Sequence, residues 1–274
     1  MKVTFLNKQL RNEYCTYLSI ISSIITISVL FINIPQDIKL PLGAFVLFFL
    51  IFLYLAIWFR ANNLNELSII INNSTIQIKE GDIFQEIGFK IIPFNEYFDT
   101  DVNSGIISSN TLNGKYIAKF YQNRQDLDHL ILSDKHSSQF IIKEQSREFG
   151  KTKQYKLGTI IKDRDFFLLA FSRFDEHNRA YLTIDELIST LTNMWTECDI
   201  HYNGNDIVLP LLGSGLTRLQ GLENISDQEL LMLLLFSLKI TKIKFADTTK
   251  IKIILTKERL RKIDLYEIKH RLNP

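Results

Sequence analysis

Two apolar runs of about twenty residues each, separated by only five residues, occupy the N-terminal part of the chain. Residues 15–34 read CTYLSIISSIITISVLFINI and residues 40–59 read LPLGAFVLFFLIFLYLAIWF. At a helical rise of about 1.5 Å per residue, each run crosses a hydrocarbon core of roughly 30 Å. A secretory signal would have a shorter apolar region and a small-residue cleavage site, with no second span directly behind it. The link Pro35-Gln36-Asp37-Ile38-Lys39 is too short for a folded domain, so the expectation is a tight helical hairpin in a lipid bilayer. Lys2, Lys8 and Arg11 precede the first span and Arg60 follows the second, whereas the link carries Lys39 alone. The positive-inside rule then places both termini in the cytoplasm of a multi-pass inner-membrane protein.

The two spans differ in chemistry. Ser19, Ser22, Ser23 and Thr26 recur at helical spacing and share one face of the first. Such a stripe either packs against the second helix or faces other subunits of an oligomer. The second span is rich in phenylalanine, with Tyr54 and Trp58 suited to the interfacial belt. Neither span contains an Asp, Glu, Lys, Arg or His, which argues against an ion-coupled transporter.

Beyond about residue 64 the pattern is that of an α/β domain, so the expected division is 1–63 for the hairpin and 64–274 for a cytoplasmic domain. Asn72-Asn73-Ser74 separates two β-branched runs and predicts a hairpin. Phe89–Phe94, Phe166–Phe171, Asp206–Leu212 and Lys250–Leu255 are apolar runs of buried-strand type. Helices are expected over Thr183–Asp199, opened by the capping box of Thr183 and Glu186, over Asp227–Leu238, and over Thr256–Arg271. Alternation of these elements predicts a three-layer α/β/α domain with a mixed sheet.

The formal charge of +2 is too small and dispersed for a nucleic-acid surface. Cys15 and Cys198 are the only cysteines, so no disulfide framework is expected. His129, His136, His177, His201 and His270 do not fall at metal-ligand spacing along the chain, so no metal site is expected.

Ligands of open α/β sheets bind beyond the carboxyl ends of the strands. Two polar loops follow strands at that edge. One, Asp99–Gly114, is rich in Asp, Asn, Ser and Gly. The other, Gly213-Ser214-Gly215-Leu216-Thr217-Arg218, has glycines one apart, which let backbone amides approach an anion. Arg218 is either a diphosphate partner or a solvated surface residue.

The strand end Asn95-Glu96-Tyr97-Phe98-Asp99, the loop closing at Asn113-Gly114, and Pro210-Leu211-Leu212-Gly213-Ser214-Gly215-Leu216 together resemble the macro domain, a fold that recognises ADP-ribose and its derivatives. A transmembrane hairpin ahead of such a domain, and the stretch GTIIKDRDFFLLAFSRFDEHNRA, resemble the membrane-anchored macro-domain ThsA family of Thoeris anti-phage defence. The resemblance runs from the hairpin to about Lys269. It implies that a partner TIR-domain enzyme makes an ADP-ribose-derived signal, of the histidine–ADP-ribose kind. The macro domain binds that signal, and the effectors oligomerise and disrupt the inner membrane in abortive infection. The residues carried over as ligand-binding are Asn95, Asp99, Asn113, Gly114, Gly213, Ser214, Gly215, Leu216 and Arg218, with no cofactor beyond the nucleotide ligand. Asn95 and Asp99 have an equally good role as caps of the strand-to-loop transition. Hydrolytic macro domains carry an Asn-Ala-Ala-Asn-like strand end and a glycine-rich loop. Their absence here favours a binder with no catalytic residue over a membrane-tethered ADP-ribosyl hydrolase; the other alternative, a membrane scaffold with a protein-binding α/β domain, predicts no nucleotide affinity.

Overall fold

The N-terminal apolar runs form helices α1 (Lys8–Phe31) and α2 (Gln36–Asn62), both long and apolar enough to cross a membrane and almost entirely exposed along their spans. The computed structural model describes residues 3–102 and 104–272. Lys2, one of the charges behind the expected orientation, and Asn103 of the first polar loop lie outside the described residues. The link between the helices is shorter than the sequence indicates. Helix α2 begins at Gln36, directly after Pro35, so Gln36 to Lys39 form its first turn. Proline's fixed φ is compatible with helix entry, and Asp37 in that first turn suits the positive end of the helix dipole. The hydroxyls of the stripe bond within α1: Ser19 donates to the Cys15 carbonyl at 2.9 Å, Ser23 to Ser19 at 2.8 Å and Thr26 to Ser22 at 2.8 Å. These hydroxyls are therefore satisfied within the helix itself, without a partner helix, as a helix in an apolar medium requires.

The described residues divide into two compact units, one of residues 3–67 with 263–272, the other of residues 68–262. In the first unit Val3, Leu10, Ile57, Ala61 and Tyr266 form a small core at one end of the hairpin. Tyr14 and Phe5 meet Tyr54 edge-on at 5.1 and 4.9 Å, and Trp58 donates its indole N–H to the Val3 carbonyl at 3.2 Å. The aromatic residues expected at an interface thus gather at one level.

The second unit follows the chain order β1 (Glu66–Ile71), β2 (Ser74–Glu80), β3 (Phe89–Asn95), α3 (Leu112–Phe120), α4 (Arg124–Ser133), β4 (Ile141–Glu144), β5 (Lys153–Tyr155), β6 (Ile160–Asp163) and β7 (Phe166–Phe174). It continues with β8 (Ala180–Thr183), α5 (Ile184–His201), β9 (Ile207–Pro210), β10 (Arg218–Gln220), α6 (Asp227–Thr241), β11 (Lys250–Leu255) and α7 (Lys257–Lys262). The last helix, α8 (Leu265–Leu272), belongs to the hairpin's unit. The single terminal helix expected over Thr256–Arg271 is therefore two helices. The break falls at Ile263-Asp264, where the Asp264 carboxylate accepts from the Glu267 amide at 2.9 Å and starts α8 afresh.

Among the described residues the main sheet has nine strands, in the order β1-β2-β11-β9-β3-β7-β8-β10 with β6 also paired to β7. Strands β2, β11, β9, β3 and β7 run parallel, while β6 and β8 are antiparallel to β7. Asn72 and Asn73, both at positive φ (51° and 65°), make the tight turn between β1 and β2. The apolar strands are buried on both faces because helices cover both. Ile92, Phe94, Phe166 and Leu168 pack with Tyr116, Ile117, Leu127 and Ile131 of α3 and α4. On the opposite face Phe167 meets His201 of α5, and α5 packs on α6, where the Trp195 indole donates to Ser237 Oγ at 2.8 Å. The result is the expected α/β/α sandwich on a mixed sheet.

Candidate functional site

Strands β3, β7 and β9 end side by side, and the loops that leave them wall a cavity of about 900 Å³. That volume lies within the range of about 300–1,000 Å³ typical of small-molecule sites. The floor is Pro93 to Asn95, Phe171 and Ser172; the rim comes from residues 105–108 and 110–113, Asn178 to Ala180, and the whole of 210–218. Thr256 and Arg259, which follow β11, close the remaining side.

The strand end of β3 is held in a turn by its own side chains. A register shift between Phe94 and Asn95 breaks the ladder with β7, and the Asn95 side-chain oxygen accepts from the amides of Tyr97 at 3.0 Å and Asp99 at 3.1 Å. Asn95 also donates from its amide nitrogen to Asp99 at 2.9 Å. The buried Asp99 carboxylate further accepts from Arg147 at 2.9 Å and from the Lys151 amide at 2.7 Å. The Arg147 guanidinium stacks 3.8 Å over the Tyr97 ring and donates to the Asn178 side chain at 2.7 Å. Glu96 is engaged likewise, by Arg173 at 2.6 Å and Gln154 at 2.7 Å. Burial lowers the Lys151 ammonium from its ordinary range, opposed by the neighbouring Asp128. Asn95 lines the cavity; Asp99 does not, and its carboxylate holds the three bonds just named.

Asn113 and Gly114 do not close the first loop, as the sequence suggests, but sit in the first turn of α3, whose N-cap Thr111 accepts from the Gly114 amide at 3.3 Å. Asn113 lines the cavity and Gly114 does not. The glycine is needed for space: a Cβ there would lie 2.2 Å from the Ser108 carbonyl oxygen. Gly114→Ala is therefore expected to destabilise the protein by about 1–3 kcal/mol through overpacking and to displace the 105–111 loop. Thermal denaturation checks this, and an unchanged melting temperature would mean the loop has no fixed seat on α3. With no acidic residue in its first turn, α3 presents an uncompensated positive dipole end beside the cavity.

The second loop is built for close backbone approach. Gly213 has φ of +83°, a conformation that side chains with Cβ avoid. Ser214 Oγ donates to the Leu211 carbonyl at 2.6 Å, while the Ser214 carbonyl accepts from Arg259. Gly215 has open space where a Cβ would be, and Leu216 is exposed. Gly213, Ser214, Gly215, Leu216 and Arg218 all line the cavity, Arg218 from the first position of β10.

Sequence reading missed two further cations in the wall. Arg179 lies in the β7–β8 turn, paired with Asp175 at 2.7 Å, and Arg259 is held by Asp227 at 2.6 Å. Nothing local to Arg259 marks it; its place follows from β11 pairing with β9, which sets α7 beside the second loop. Among the described lining residues there are three arginines and no Asp, Glu, His, Cys, Lys or Tyr. Such a wall attracts a polyanion and offers no side chain of ordinary general-base type.

Residues 76–256 match the family model described as Thoeris protein ThsA, Macro domain. This chain belongs to that family. It is 41% identical over 211 residues to the Thoeris protein ThsA of Bacillus amyloliquefaciens (strain Y2), an alignment covering 75% of this chain and 70% of the relative. The cavity lies wholly within the matched ThsA macro domain apart from Arg259. Among solved structures, a mutant Oceanobacillus iheyensis macrodomain with ADPR aligns at 13% identity and TM-score 0.48, covering 75% of this chain and 97% of that one. The same macrodomain with ADP aligns at 13% identity and TM-score 0.46, covering 75% and 95%.

Proposed function

We propose that this ThsA macro domain binds an ADP-ribose derivative in the cavity, without turning it over, and that the bound state drives assembly and membrane disruption by the N-terminal hairpin. The observation that carries the reading is the wall itself: three arginines, a helix N-terminus and a backbone loop around Gly213 and Gly215, with no carboxylate side chain among the described lining residues. A dinucleotide-sized polyanion is matched by that chemistry, with phosphates against the amides and arginines, and with Asn113 and the side-chain nitrogen of Asn178 toward ribose or base groups. The absence of a general base among the described lining residues favours a reader over an ADP-ribosyl hydrolase. Family membership supports a partner TIR-domain protein as the source of the signal, a histidine conjugate of ADP-ribose as its form, and the cytoplasmic side of the inner membrane as its place.

Chain connectivity offers a route for coupling. Helix α7 carries Arg259 of the cavity wall, and two residues later α8 joins the hairpin's unit, where Tyr266 donates to Glu13 of α1 at 2.5 Å. For a switch, the signal must bind the assembled state more tightly than the resting one, since equal affinity shifts nothing.

The test is dye leakage from vesicles bearing the full-length protein. Addition of the active ADP-ribose derivative is expected to release dye. With Ser22, Ser23 and Thr26 replaced by Leu, insertion is expected to persist and leakage to fall by about 10-fold, the equivalent of roughly 1.4 kcal/mol of lost helix–helix association. Ligand-induced leakage that is unchanged in the triple variant would remove the stripe from the assembly surface.

A further inference from the structure

On the opposite side of the fold's chemistry, three side chains that are distant in sequence converge. Glu197 and His201 lie one turn apart on α5, and His136 precedes the short 3-10 turn Ser137–Phe140 that follows α4. His136 Nε2 is 2.8 Å from Glu197 Oε2, and His201 Nε2 is 3.8 Å from the same oxygen. One ligand atom from each of the three lies within 4.8 Å of the others. None of the three lines the cavity. The linear spacing of the histidines gave no hint of this, because the set is assembled by packing rather than by a local motif.

Two features go beyond an ordinary ion pair. His201 Nε2 is buried and has no hydrogen-bond partner, an arrangement that costs free energy unless something else satisfies the nitrogen. The two imidazoles also sit edge to face with centroids 4.5 Å apart, walled by Phe140 at 5.3 Å from His136 and Phe167 at 6.4 Å from His201. Zinc bonds of about 2.0–2.1 Å in a tetrahedron place ligand atoms about 3.4 Å apart. The observed separations bracket that value, so small side-chain rotations suffice.

We propose that His136, Glu197 and His201 form a divalent-metal site, suited to zinc by its two imidazoles and one carboxylate, with a fourth position open to water. The metal would tie the segment after α4, which belongs to one helical layer, to α5 of the other. Its role is structural, and the proposal stands apart from the nucleotide reading.

The experiment uses the full-length protein in detergent, stripped with a chelator and titrated with Zn²⁺ by calorimetry, and with Co²⁺ by visible absorption. One equivalent of Zn²⁺ is expected to bind and to raise the melting temperature, and Co²⁺ is expected to show the intense visible bands of a four-coordinate ion. His136→Ala, Glu197→Gln and His201→Ala should each weaken Zn²⁺ binding by more than the roughly 10–100-fold that loss of an outer-shell partner costs. Absence of saturable binding, affinity undiminished in all three variants, or only the weak spectrum of octahedral Co²⁺ would overturn the site. Should a variant fail to fold, the Co²⁺ spectrum of the unsubstituted protein decides alone.

Discussion

Gly215→Glu is expected to weaken nucleotide binding by about 100-fold or more, since two like charges 4 Å apart at an effective dielectric of 20 repel by about 4 kcal/mol and each 1.4 kcal/mol is a decade in Kd. The position is well suited to the test. Nothing lies within 4 Å of a Cβ built at Gly215, its φ is not in the left-handed region, and it lines the cavity. The new carboxylate therefore enters the binding space without disturbing the core, so melting temperature and membrane insertion should hold while ligand-dependent toxicity disappears. A Gly215→Glu protein that folds, inserts and remains fully toxic in infected cells would contradict the assignment of this loop to the signal. It would also restore the scaffold alternative.

The second large effect falls on stability. Asp99→Ala is expected to cost about 3–5 kcal/mol, because removing one partner of a buried ion pair leaves the other charge uncompensated. Asp99 is 1% exposed and Arg147 11%, and the Lys151 amide and the Asn95 side chain lose their acceptor as well. At roughly 2–4 °C per kcal/mol for a unit of this size, the melting temperature should fall by about 10 °C. Adding Arg147→Met should recover much of the loss, since an apolar replacement of both partners is tolerated far better than a single truncation. The sequence left Asp99 divided between holding a ribose and capping a strand. A normal melting temperature together with lost binding in Asp99→Ala would assign it the first role; a lowered melting temperature with binding retained would assign it the second.

What the sequence disclosed follows from how local each signal is. The hairpin spans, strands β3, β7, β9 and β11, and the start of α5 at Thr183 were legible because apolar runs and capping boxes act over a few neighbouring residues. The Thr183 and Glu186 exchange of bonds is present as expected, and Leu187, Leu191, Met194 and Trp195 are all buried beneath it. Strands β4, β5, β6, β8 and β10 are three or four residues long, too short for a period-2 pattern to rise above noise. Asn113-Gly114 reads as a turn because glycine is a poor helix former. Its reason for being in α3 is the Ser108 carbonyl, which no local pattern reveals. The break before α8 did carry a signal, Asp264 followed by Glu267, that the charge-rich run around it concealed. In the site, the loop glycines were visible, whereas Arg179 and Arg259 required the strand order. The histidine–glutamate cluster required the packing of both layers.

The reading of the cavity as a nucleotide sensor is tested most directly by calorimetric titration of the full-length protein with ADP-ribose, its histidine conjugate and its cyclic isomers, with the recovered nucleotide analysed afterwards. One of these compounds is expected to bind at one per chain, to lose at least about two decades of affinity in Gly215→Glu, and to be recovered intact. No heat with any of them, or recovery of a cleaved product, would contradict it.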